Sequence, residues 1–166
     1  MIVAHPSAPS PLRHGAFTIE GWQFESANAA PVENRRQRVF NETRKPWAEF
    51  LVQVHNRIHP IFADEYLASL DQLPAKIPLN SPELTVTVGA AVTQSSGEIS
   101  LLYIRHPSGM PEFDVAAVAA LVQAFPMTVP EAIASPDGLA YFEWEFHRNK
   151  EACSALNARP FRFAQP

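Results

Sequence analysis

Glycine is scarce in this chain, with six residues in 166, while proline is abundant at sixteen. A phosphate-cradling loop needs several glycines close together so that backbone N–H groups can approach the ligand, and no such cluster exists here. A single cysteine, Cys153, excludes an intramolecular disulfide and leaves the redox compartment open. No apolar run approaches the ~18 residues that a membrane-spanning helix needs. The first four residues are too short for the apolar region of a signal peptide. Basic residues are outnumbered, 13 against 17, and the net charge of -4 lacks the positive footprint of a nucleic-acid binder. Proline without glycine predicts stiff connections between elements.

What the chain does have is a core. Hydrophobic residues make up 46% and aromatics 10%, enough for a packed α+β domain. The most patterned stretch covers residues 82–146. Leu84, Val86, Val88, Ala90 and Val92 alternate with small or polar residues, the period of a half-buried strand. Ser95, Ser96, Gly97 and Glu98 supply turn chemistry, and residues 99–104 form a second β-branched run. Asp114 stands where an N-cap would accept free backbone N–H groups of a helix over 115–124, with Val115, Val118, Ala119 and Val122 on one face. After Gly138 a third strand places Ala140, Phe142, Trp144 and Phe146 on one side. Tyr141, Glu143, Glu145 and His147 fall on the other.

Upstream, residues 1–15 fit an extended, unpaired Pro-rich tail. Phe17, Ile19, Trp22 and Phe24 suggest a short strand or strap broken at Gly21. Residues 31–44 suggest a helix, and five of the thirteen basic residues fall between Arg35 and Lys45, the pattern of a solvated helix face. Trp47, Phe50, Leu51, Val54 and Ile58 keep helical spacing up to an interruption at Pro60, and Phe62, Tyr66, Leu67, Leu70 and Leu73 resume it. Residues 157–163 alternate weakly and predict a fourth, outer strand, which Pro160 confines to an edge or a non-bonding position. Three units follow: a tail over 1–15, an extension over 16–45 and a main domain over 46–166.

Candidate chemistry is thin. His55 and His59 are spaced as zinc ligands on a helix, but Asn56 stands where a catalytic glutamate belongs and no third ligand is signalled. Cys153 has no neighbouring group in sequence that would lower its pKa. Asp64 with Glu65, or Glu143 with Glu145, could be an acid–base pair, yet no pocket motif frames either. No metal, cofactor or catalytic residue is expected, and the chain does not argue for an enzyme.

The order of elements, and the words within them, resembles the C-terminal domain of the TonB/TolA family of energy transducers. The words are V-x-V-x-V before the turn, G-x-I at Gly97, Glu98 and Ile99, S-G-x-P-x-F-D-x-A-A from Ser108, and S-P-D-G-x-x-x-F-x-W-x-F from Ser135. They look closest to the diverged branch found in gliding-motility transducers of the AgmX/GltJ type. His59 and Pro60 stand where the family has Tyr-Pro before its first helix. The resemblance implies a small antiparallel β-β-α-β sheet with helices on one face, the first helix lying across Phe142 and Trp144. It also implies a periplasmic location, an inner-membrane anchor in a longer parent chain and a proton-driven motor coupled through that chain. An outer-membrane or periplasmic protein would dock by strand addition along residues 139–147. Tyr141, Glu143, Glu145 and His147 would then face the partner. The other function is a scaffold or force-transmitting part of a motility or secretion complex. A protective strand over 161–163 would block that edge.

Overall fold

Val86, Val88, Ala90 and Val92 alternate along β5 (Thr85–Thr93), and Ala140, Phe142, Trp144 and Phe146 along β7 (Leu139–His147). Both strands therefore turn an apolar row to one side of a sheet. The computed structural model describes residues 44–163 together with four earlier strands: β1 (Ile2–Pro6), β2 (Phe17–Ile19), β3 (Trp22–Ser26) and β4 (Arg36–Arg38). With β6 (Ile99–His106) and β8 (Ala158–Phe163) they form one sheet in the order β2-β3-β1-β6-β5-β7-β8-β4. Every pairing is antiparallel. The α+β class and the antiparallel sheet agree with expectation, as does β8 lying beside β7; the central order β6-β5-β7 is a finding of the structure.

Three helical stretches cover the apolar side. In α1 (Arg44–His59) the residues Trp47, Phe50, Leu51, Val54 and Ile58 are buried, and Phe50 meets Phe142 edge-on at 6.2 Å. Pro60 does not end the helix. It has no N–H to give to the carbonyl four residues back, and the chain widens into π-helical turns over Pro60–Leu67 before α2 (Ala68–Leu70). The His59–Pro60 step thus lies within a helical stretch rather than ahead of one. The widened turns bury Phe62, Ala63 and Leu67, while Leu73 is left exposed. Arg57 Nη1 donates to the carbonyls of Ala124 and Pro126, at 2.9 and 2.7 Å, placing a cation at the end of α3 (Pro111–Gln123).

Helix α3 differs from its sequence reading in two ways. It starts at Pro111, whose fixed φ suits a first helical position, so Asp114 is inside the first turn and not the cap. Its buried face carries Phe113, Ala117, Val118 and Leu121. The bulk of Phe113 and Leu121 outweighs the stripe of smaller side chains at Val115, Ala119 and Val122. Asp114 instead closes the preceding loop, its Oδ1 accepting the Ser108 N–H at 3.0 Å. Burial raises its pKa above the ordinary carboxylate value of 3.8. Since the folded value lies above the unfolded one, this group makes the fold gain stability as pH drops through the folded value. Asp114→Asn keeps the acceptor and loses the charge, so its melting temperature at neutral pH should match or exceed the parent's, without that gain on mild acidification. Asp114→Ala strands the Ser108 N–H and should cost about 1–3 kcal/mol in the same melts.

Two N-terminal expectations are corrected. Ile2–Pro6 is not unpaired: β1 sits between β3 and β6. Within the stretch read as a helix over 31–44, Arg36–Arg38 is a strand, pairing antiparallel with Phe161–Phe163 of β8, and the rest up to residue 43 lies outside the described residues. Three residues of charged sequence carry no β period, so only the free edge of β8 makes them a strand. The pairing with β4 ends at Phe161, which leaves Pro160 outside that ladder.

Candidate partner-binding site

The residues expected to face a partner lie on the side of β7 away from the helices, but they do not all face solvent. Tyr141 is 5% exposed and Glu143 6%. Glu145 and His147 are half-buried, with His147 Nε2 and Glu145 Oε1 at 3.0 Å. The edge of β7 is also taken: β8 pairs with it from Tyr141 to Trp144. An expected docking edge is thus an inner strand between antiparallel neighbours, because the alternating residues of β8 bury Phe161 against Tyr141 with ring centroids 5.6 Å apart. Burial and the neighbouring Asp137, which accepts the Tyr141 hydroxyl at 2.6 Å, push that phenol's pKa up.

Glu143 belongs to a row that crosses the sheet. Tyr103 on β6 is level with Gly89 on β5, Gly89 with Glu143 on β7, and Glu143 with Arg159 on β8. The Tyr103 hydroxyl donates to Glu143 Oε1 at 2.8 Å, and Arg105 Nε stands 3.7 Å from the same oxygen. To reach across β5 the phenol lies directly over Gly89, where a Cβ would fall 2.0 Å from the ring. A glycine inside a β-branched strand is the one sequence signal for this close approach. Tyr103, Arg105 and Arg159 carry no motif of their own, and sequence reasoning missed them. Thr87, Arg105, His106, Glu145 and Arg159 line a polar groove of about 280 Å³ beside this row. Charges of both signs face each other there, so the groove orders the sheet's outer face through paired charges.

The discounted residues also come together. His55, His59 and Cys153 line one small cleft with Trp144. His55 stacks on Trp144, with centroids 6.3 Å apart and planes 10° apart, and meets His59 edge-on at 5.2 Å. Burial, then the charge of His59, lowers the His55 pKa. Burial raises the Cys153 thiol, so it is not a thiolate nucleophile at neutral pH. Asp64 accepts from Lys150 Nζ at 2.7 Å and lies 3.3 Å from His59 Nδ1. Among the described residues no group of three or more His, Cys, Asp or Glu side chains is placed to hold a metal ion. No helix among them is long and apolar enough to cross a membrane.

Fold and site together define an α+β domain whose antiparallel sheet is backed by helices on one face and braced by polar side chains on the other. Compared with family models, curated proteins and solved structures, the chain matches none of them.

Proposed function

We propose that this domain is the docking end of a TonB/TolA-like energy transducer, working in the periplasm. It would grip an outer-envelope protein and pass on the work of a proton-driven inner-membrane motor, reached through an anchored parent chain. The supporting observation is the order α1, β5, β6, α3, β7 with strands arranged β6-β5-β7 and the helices on the side of Phe142 and Trp144. The order of elements along the chain and the helices on that side are what the sequence resemblance implies.

Strand addition at β7 then takes place by exchange. The ladder between β7 and β8 has four residue pairs, one of them involving Pro160, which has no N–H to donate. The ladder between β5 and β7 has nine. Under competition the shorter one yields first, and a partner strand takes the place of β8 while β7 stays anchored to β5. Main-chain bonds give such a complex its affinity, and alternate side chains (Tyr141, Glu143, Glu145 and His147) give it selectivity.

The test is a photo-crosslinking amino acid at His147, beyond the β8 ladder, in the full chain offered to a bacterial envelope extract. Hydrogen exchange on the captured complex completes it. The expected product is a crosslink to an outer-membrane or periplasmic protein, with protection lost in β8 and kept in β5 and β7. Protection kept throughout β8 in a crosslinked complex would overturn the exchange mechanism. No envelope crosslink from a bait with an unchanged melting temperature would overturn the docking role.

A further inference from the structure

The strand that now lies along β7 carries the requirements that any replacement must meet. In that ladder Tyr141 is level with Phe161, and Glu143 with Arg159. Arg159 is exposed and lines the groove of about 280 Å³ in which Arg105, Glu143 and Glu145 also stand. Residues directly opposite on neighbouring strands have Cβ atoms ~5 Å apart, near enough for their charges to matter without a bonded pair. Histidines aside, the described lining sets two cations, Arg105 and Arg159, against two carboxylates. When β8 leaves, Arg159 goes with it. Arg105, 3.7 Å from Glu143 Oε1, is then left with both acids. Glu143 is 6% exposed, and a strand closing over it without a cation would bury the acid short of its counter-charge. Phe161 is equally tied in: it is buried with Ala91, Tyr103 and Tyr141 in one apolar cluster on the same face. Its departure uncovers the Tyr141 ring, and a second aromatic ring restores both the burial and the ring contact.

We infer that β8 is an internal stand-in for the partner's strand, and that the partner presents a basic residue two positions before an aromatic one. Paired antiparallel to β7, its base lies level with Glu143 and its ring covers Tyr141. The pattern is the one β8 itself carries in Arg159 and Phe161, with Pro160 between them. Opposite charges across neighbouring strands stabilise a pair and like charges repel, so an acid at the first position is refused. This inference rests on the strand exchange at β7 proposed above and adds the sequence chemistry that the exchange selects.

The test uses the purified full chain labelled with ¹⁵N. Its probes are acetyl-Thr-Ala-Arg-Val-Phe-Thr-amide and the same peptide with glutamate in place of arginine. A tethered β8 competes with free peptide at an effective concentration on the order of millimolar, so it is first loosened by Arg159→Glu, which puts a third acid beside Glu143 and Glu145. In that variant the β8 amides should lose hydrogen-exchange protection while those of β5 keep it. Should β5 lose protection too, Arg159→Ala, which only removes the cation, takes its place. The arginine peptide should then shift the β7 amides saturably at up to about 1 mM, and the glutamate peptide should bind at least about tenfold more weakly. Adding Glu143→Gln, which keeps the shape and removes the charge, should narrow that ratio to about threefold or less. Equal affinities before that change, or an undiminished ratio after it, would overturn the charge selection and leave the exchange standing. Full protection of β8 in both Arg159 variants would overturn the role of Arg159 in seating that strand. Once β8 is open, a failure of both peptides to shift β7 would overturn the strand exchange itself.

Discussion

Trp144→Ala is expected to lower the stability of the domain by about 3–5 kcal/mol, the range for removing a large aromatic from a packed core. The indole is 3% exposed. It meets Phe142 edge-on and Phe146 at a tilt, each with centroids 6.5 Å apart, and covers His55 on its other side. Equilibrium denaturation reads the loss directly, and a cost below about 1.5 kcal/mol would mean that the site collapses around the gap. The variant carries a second signature. His55 lies below its ordinary value of 6.5 because it is buried and beside His59. The unfolded chain therefore takes up that proton first, and stability is lost as pH falls through 6.5 toward the folded value. Uncovering the imidazole should move its NMR titration upward and shrink the acid-side loss. Tyr141→Ala should also destabilise, since that ring too is buried. Tyr141→Phe, which keeps the ring on Phe161 and gives up only the hydroxyl, is the variant that separates packing from binding.

Gly97→Ala is expected to cost about 3 kcal/mol or more, from two separate causes. Gly97 has φ of 71°, which penalises any L side chain, and an added Cβ would lie 2.0 Å from the Met127 carbonyl oxygen. The contact is with backbone, so no rotamer change relieves it. Moving the loop away would break the bond from Met127 N–H to the Gly97 carbonyl, now 3.0 Å. Gly97→Asn distinguishes the causes, because asparagine tolerates positive φ but brings the same Cβ. Near-equal loss in the two variants by denaturant melts is the expected result. Recovery with asparagine would leave backbone conformation as the whole effect.

How much of this was legible in the sequence follows from what each element depends on. β5, β6, β7 and α1 are dictated by local periods of apolar residues, and those periods locate them. β8 was also visible, because Phe161 and Phe163 alternate beside a proline. The apolar face of α3 was legible only in part: Val118 is buried as its spacing predicts, but Phe113 and Leu121, eight positions apart, decide which side packs deepest, and only the shape of the sheet reveals that. β4 was invisible, since a three-residue strand exists only because an edge is there to receive it. The row expected to face a partner lies on the side of β7 away from the helices, as the two-residue period predicts. Its burial depends on Tyr103 and Arg105, more than thirty positions away, and no local pattern reports such a contact.

The phenol laid over Gly89 also acts as a key in a lock. β6 and β7 are not adjacent, yet the bond from Tyr103 to Glu143 ties them across the strand between. If β5 slid by two residues either way, Thr87 or Ala91 would be driven beneath the ring, where there is no room for a side chain. Three strands are thus held to a single alignment by the one position with nothing to offer but space, and a load applied along the sheet would have to break that alignment before any strand could creep.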